Sequence, residues 1–267
     1  MHPTDQPLSR QRRRGGAAHP VCVTALASCD KNAVQVLPNG PLEHSRVKFF
    51  NFGVGAPGVN FYANTTKMTA ISSGTNTEAT TGVAYGSVGN GGAYSSIAPG
   101  TYSFTGKIAA TVDKDLAIAR VDTTIADGKY YSFYMCGVYN ATGKTSDAFV
   151  LEDAYPSPID YAVALVRFVH VISNAAPLTL RAANTLTFDT VTVGGPVGYK
   201  SGSAFTALPP GVYNLFARYT DSTTNKVSRT EVSFVAGRVY TIGARGDITI
   251  TSTTATNRPF LDNTANR

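Results

Sequence analysis

Beyond residue 45, apolar residues recur at every second position or in short unbroken runs, and no segment carries the three-and-four spacing of a helical stripe. In the first half, runs rich in β-branched and aromatic residues fall near 46–52, 58–63, 83–88, 92–97, 101–109, 116–125, 130–139 and 147–152, divided by Gly, Pro, Asn and Asp. So many short strands in so little chain predict two packed antiparallel sheets, an immunoglobulin-like sandwich, with a small barrel as the runner-up.

The pattern then repeats. Val47 to Phe52, VKFFNF, matches Val166 to Val171, VRFVHV, at an offset of 119, with Lys48 answered by Arg167. The same offset carries Val59 and Phe61 onto Leu178 and Leu180, two apolar positions two apart, as one face of a strand requires. The corner Pro99-Gly100-Thr101-Tyr102-Ser103-Phe104 matches Pro210 to Leu215 at 111, and Gly128 and Tyr131 match Gly237 and Tyr240 at 109. The falling offset places the extra residues of the first copy in the Ser/Thr/Asn-rich stretch 64–82, read as a surface loop. The run 149–153, FVLED, is paired with 259–263, PFLDN. Tyr102 with Phe104, and Tyr213 with Leu215, are expected in the core behind turns in which Gly100 and Gly211 take positive φ. Near Gly128 the run ADGKY suggests the tyrosine corner of such sandwiches, at Tyr130. The expected organisation is an all-β protein of two tandem immunoglobulin-like antiparallel β-sandwich modules at 45–157 and 161–267, after a signal peptide at 1–28 and a tether at 29–44.

Composition supports strands over helices: Gly is abundant, charged residues make up only 15%, and 43% of the chain is hydrophobic, too apolar for a disordered chain. The net charge of +6 shrinks on inspection, because Arg10, Arg12, Arg13 and Arg14 lie in the first 28 residues against Asp5 alone. The remainder has 19 bases and 16 acids, or +3, which implies no nucleic-acid partner. Those arginines precede a small and apolar run that closes on Leu26-Ala27-Ser28-Cys29, the arrangement of a bacterial lipoprotein signal peptide with its lipobox. His19 and Pro20 interrupt that run. A disordered basic tail with a chance cysteine is the competing reading. On the first reading Cys29 is the lipid attachment site, and the protein is exported and membrane-anchored in the bacterial cell envelope, in the periplasm or at the cell surface. Cys136 then stands alone in an apolar run, expected as a buried, inert thiol.

Taken in order, VKFFNF, GAPGVNFYAN, VAYGS, IAPGTYSF and IADGKYYSF make the chain after Ser45 resemble a bacterial family of domains of unknown function, DUF4397, twice over. The resemblance implies secreted or lipoprotein sandwich modules, often in tandem, and supplies no activity. Where the family pattern tends to place aspartates, this chain has Gly55 and Asn60, and in its second copy Asn174 and Thr179.

No convergent catalytic set stands out. Of the histidines after Cys29, His44 falls in the tether and His170 takes the place of Asn51 at the end of an opening strand, where a polar turn role outweighs a general base. No His/Cys spacing suggests zinc, and no GxSxG elbow, phosphate loop or dinucleotide fingerprint is present. Gly86, Gly89, Gly91 and Gly92 sit between strands and read as a hairpin. Asp113 with Asp115, answered only by Asp221 and Asn225, is a thin candidate for calcium. Tyr62, Tyr85 and Tyr94 are candidate sugar-stacking platforms, weighed against packing. The expected function is a non-enzymatic envelope lipoprotein whose modules bind or act as spacers, needing neither cofactor nor metal. Its expected partners are the membrane, through the lipid anchor, and an envelope glycan or protein. The alternatives are a carbohydrate-binding or adhesin-like surface protein and an accessory subunit of an envelope enzyme.

Overall fold

The computed structural model describes residues 45–71 and 77–267; Cys29, His44 and the expected signal peptide lie outside them. Residues 45–267 fall within one compact unit, made of four sheets in two pairs.

The first half contributes β1 (Ser45–Asn51), β2 (Val59–Ala63), β3 (Thr66–Lys67), β4 (Ser87–Val88), β5 (Ser95–Ile97), β6 (Gly100–Ile108), β7 (Ala117–Ile125), β8 (Tyr130–Asn140) and β9 (Thr145–Glu152). One sheet runs β3-β2-β6-β7. The other runs β4-β1-β8-β9, with β5 also on β1. The second half repeats the plan with β10 (Ala164–His170), β11 (Leu178–Asn184), β12 (Thr190–Val197), β13 (Ser201–Gly202), β14 (Thr206–Leu208), β15 (Gly211–Tyr219), β16 (Val227–Phe234), β17 (Val239–Arg245) and β18 (Phe260–Ala265). Its sheets run β12-β11-β15-β16 and β13-β10-β17-β18, with β14 on β10.

Each half is thus a β-sandwich, but not a purely antiparallel one: β1 pairs β8 in parallel, and β10 pairs β17 in parallel. The long crossover that a parallel pair needs is supplied in each half by the opposite sheet. Between β4 and β5 the glycine run forms a 3-10 turn at Gly89–Gly92.

Alternation decides what each strand buries. Val59, Phe61 and Ala63 of β2 face a core in which Phe49, Phe61, Phe104 and Phe133 interlock, ring centroids 5.2–6.1 Å apart. The second core is more aliphatic, built on Val166, Phe168, Leu178, Leu180, Leu215 and Ile242. A third cluster, Phe50, Phe52, Tyr134, Cys136, Val169 and Val171, lies between the two sandwiches, on the outer faces of β1, β8 and β10. Those strands are buried on both faces, which explains why their sequences read as nearly continuous apolar runs.

Three expectations are corrected in detail. The tyrosine corner is at Tyr131, not Tyr130: its hydroxyl accepts the Ala126 N–H at 3.1 Å, as that of Tyr240 accepts the Val235 N–H at 3.1 Å. The two Pro-Gly corners do not share a positive-φ turn, since φ is +148° at Gly100 and not positive at Gly211. Each corner is instead closed by the tyrosine two residues on, Tyr102 Oη donating to Ala98 O at 3.0 Å and Tyr213 Oη to Pro209 O at 2.8 Å. Finally, β9 corresponds to β18 at an offset of 113, because Tyr131 faces Glu152 and Tyr240 faces Ala265. Asp153 is therefore answered by Asn266, and FVLED is not answered by PFLDN.

Candidate functional site

The most chemically elaborate region is the seam between the sandwiches, where the outer faces of β1 and β10 meet the strand pairs β17–β18 and β8–β9. Lys48 and Arg167 occupy equivalent places there and are both buried. Lys48 Nζ donates to Ala265 O at 3.1 Å and to Asn266 Oδ1 at 3.2 Å. Arg167 does the same in reverse, donating from Nη1 to Glu152 O at 3.1 Å and pairing through Nη2 with Asp153. Each cation also lies over an equivalent ring, Lys48 at 4.4 Å from the centroid of Tyr94 and Arg167 at 5.1 Å from that of Phe205. Ser132 Oγ donates to Asp153 at 2.9 Å, and Asn266 Nδ2 donates to Thr241 Oγ1 at 2.6 Å.

The two sides of this quasi-twofold arrangement differ in charge. Arg167 has a carboxylate directly opposite, while Lys48 has only neutral oxygens. Burial lowers the Lys48 ammonium from its ordinary value to about 8, opposed by the Asp153 charge and helped by that of Arg167. Tyr94 donates to Asp153 Oδ2 and meets the Tyr155 hydroxyl; burial and the adjoining carboxylate raise the pKa of both phenols far above the ordinary range, making them much weaker acids.

Farther along the seam the contact is aromatic. Tyr134 stacks between Phe50 and Phe149, with centroids 4.4 and 5.0 Å away. Gly243, the counterpart of Tyr134, lies against Phe52: a Cβ there would meet Phe52 Cε2 at 3.1 Å. Val171, the counterpart of Phe52, belongs to the same buried cluster as Tyr134. Cys136 sits beside the Tyr199 hydroxyl at 3.4 Å, and burial raises its thiol to about 12. Arg245 pairs with Asp262 and covers the ring of Tyr85 at 4.9 Å.

At one end the seam opens into a cleft of about 500 Å³ lined by the turn Asp127–Tyr130, by residues 152–157 with Ile159 and Tyr161, and by Arg267. Tyr130 and Tyr155 meet edge to face at 5.1 Å on its wall, and Tyr161 is largely exposed. Lys129 and Glu152 pair at 3.1 Å on its rim. Such a concavity, with aromatic walls and mixed polar edges, can seat a neutral polar ligand.

The tyrosines picked out from sequence are not at this cleft's surface. Tyr62 is buried and covered by Lys107 at 4.4 Å, Tyr85 lies under Arg245, and Tyr94 belongs to the seam. The aromatic residues that do face the cleft, Tyr130, Tyr155 and Tyr161, include two from the segment joining the halves, a stretch that carries no strand pattern. Asp113 pairs with Lys144 and Asp115 accepts from Tyr62, and no group of three or more metal-ligating side chains occurs among the described residues.

His170 has a purely local role. The Ile172 N–H donates to its Nδ1 at 3.2 Å, and its Nε2 donates to Ala176 O at 3.3 Å. Asn51 makes the same two contacts one copy earlier, accepting from Gly53 N at 3.3 Å and donating to Pro57 O at 3.4 Å.

No curated protein matches the chain. A family profile described as "Domain of unknown function (DUF4397)" matches residues 45–181, which take in the whole first sandwich and the opening strands of the second. With that match covering half its length, the chain belongs to the DUF4397 family.

Proposed function

We propose that the protein is a non-enzymatic lipoprotein of the bacterial cell envelope, anchored through Cys29, whose paired sandwiches form one stiff body held out from the membrane for binding or spacing. The observation that carries this reading is the seam. Its most unusual groups, a buried ion pair, a buried lysine and low-acidity phenols, engage one another along the join between the halves, so this polar chemistry serves to hold the two sandwiches together. The basic run and the Leu26-Ala27-Ser28-Cys29 sequence support the anchor. Labelling with radioactive palmitate tests it: the wild-type chain incorporates label and Cys29→Ala does not, and an unlabelled wild type overturns the lipoprotein reading.

A second reading, recognition of an envelope glycan, is favoured by the cleft with Tyr130, Tyr155 and Tyr161. On a glycan array the chain then retains a defined saccharide class, and Tyr161→Ala loses at least most of that signal with the thermal transition unchanged. An empty array removes this reading and leaves the spacer role.

A further inference from the structure

One end of the second sandwich exposes more apolar surface than its packing uses. In the hairpin between β11 and β12, Leu186 is 84% and Phe188 82% exposed. Phe188 is held at φ +65°, a conformation that bulky residues rarely adopt. The turn is fixed by Asn184, whose Oδ1 accepts from Leu186 N at 2.8 Å and Thr187 N at 3.1 Å, and whose carbonyl accepts from Phe188 N at 3.0 Å. The equivalent hairpin of the first sandwich turns at Asn64 and Thr65, both exposed and both polar. The fold therefore needs no apolar side chain at this corner.

The tip has exposed apolar neighbours. Val212 O accepts from Thr185 N beside the hairpin, Val235 follows the strand paired with that one, and Tyr161, 73% exposed, lies against Gly237 in the next turn. The N-terminal segment joins the fold at this same end: Ser45 Oγ donates to Ala126 O and Arg46 N to Lys129 O, in the turn of the first sandwich that corresponds to the Val235–Arg238 turn of the second. Only 15 residues lie between Cys29 and Ser45, a reach of no more than about 55 Å fully extended. Exposed Arg238 and Arg267 are offset here by Asp127, Asp160 and Asp189, so apolar insertion and not charge would drive attachment.

We propose that Leu186 and Phe188 form a wedge that inserts into the interfacial layer of the bilayer to which Cys29 is anchored, with Val212, Val235 and Tyr161 resting at headgroup level. Apolar residues flanked by an interfacial tyrosine suit that layer. The inference rests on the lipoprotein reading above.

The chain contains no tryptophan, so one introduced indole reports alone. In full-length Cys29→Ala protein, Phe188→Trp is mixed with phosphatidylcholine vesicles, plain or brominated on the acyl chains. Val112→Trp, at an exposed turn at the far end of the first sandwich, is the control. The expected result is a blue-shifted emission that brominated lipid quenches for Phe188→Trp and not for Val112→Trp. Adding Leu186→Ser weakens partitioning about tenfold or more. If Phe188→Trp fails to fold by circular dichroism, Leu186→Trp takes its place. No quenching, equal quenching at both positions, or a blue shift without quenching, the mark of contact with protein, each overturns the wedge. Palmitate labelling separates the two ideas: a labelled wild type with an unquenched tip refutes the wedge alone, and an unlabelled wild type refutes the anchor whatever the indole reports.

Discussion

His170 and Asn51 show how two different side chains solve one backbone problem. After each opening strand the chain turns sharply, leaving an N–H two residues on and a carbonyl six residues on to be satisfied, and a planar side chain with one acceptor and one donor bridges them. The imidazole can do this only when neutral, and burial lowers its protonation below the ordinary 6.5. Stability from this site is complete above about pH 6.5 and falls as pH drops below it, because the unfolded chain takes up the proton first. His170→Asn is expected to fold and to flatten the melting-temperature profile between pH 5 and 6.5, while His170→Ala costs about 1–3 kcal/mol in denaturant titration through two unpaired buried groups. Lys48 gives the same sign of trend on the alkaline side. Its folded value of about 8 lies below the ordinary 10.5, so between these values the unfolded state holds more protons and stability rises with pH. The difference between wild type and Lys48→Met, measured from pH 7.5 to 9.5, isolates that slope. Cys136, buried and with a raised thiol, should react with iodoacetamide only after denaturation.

At the scale of strands, most of the architecture was legible because alternation and repetition are properties of neighbouring residues. VKFFNF and VRFVHV located β1 and β10, and six of the eight runs marked in the first half became strands of nearly the expected length. The runs at 83–88 and 92–97 shrank to two and three paired residues, since β4 and β5 share the edge of β1 across a glycine turn. β3, two residues long inside the stretch read as loop, has no pattern to see. The pairing of FVLED with PFLDN failed for a sharper reason. Side chains on a strand alternate faces, so a three-residue slip exchanges inside for outside, and composition alone does not detect it. The true register aligns Asp153 with Asn266, and that register is what reveals the two-sided seam. The tyrosine corners carry their own test: Tyr131→Phe and Tyr240→Phe should each cost about 1 kcal/mol in chemical denaturation, since each removes one buried hydrogen bond to a turn.

For the whole molecule, the seam governs cooperativity. Arg167 and Asp153 are both withdrawn from water, and removing one strands the other. Asp153→Ala is expected to lower stability by about 3–5 kcal/mol and to split a single thermal transition into two, recorded by calorimetry. None of this was legible beforehand, although Lys48 and Arg167 had been matched. A charged residue within an apolar strand signals a special environment, but it does not name its partners: those of Lys48 lie 217 and 218 residues away at Ala265 and Asn266, and those of Arg167 sit at the end of the preceding sandwich, at Glu152 and Asp153. Two of the cleft tyrosines, Tyr155 and Tyr161, were hidden likewise, because the segment that joins the halves has no periodic signature.

The fit of Phe52 against Gly243 bears on how a duplicated chain avoids mispairing. A protrusion on one half meets a vacancy on the other, while the reciprocal position sets the modest Val171 in the cluster that holds the broad Tyr134. Two first halves brought together would crowd Phe52 against Tyr134, and two second halves would leave Val171 facing empty space. Shape thus selects the unlike partner, in the same molecule or in a neighbour during folding. Gly243→Ala should destabilise the protein, and Phe52→Leu should restore part of the loss, with a coupling of about 0.5–3 kcal/mol in a double-mutant cycle.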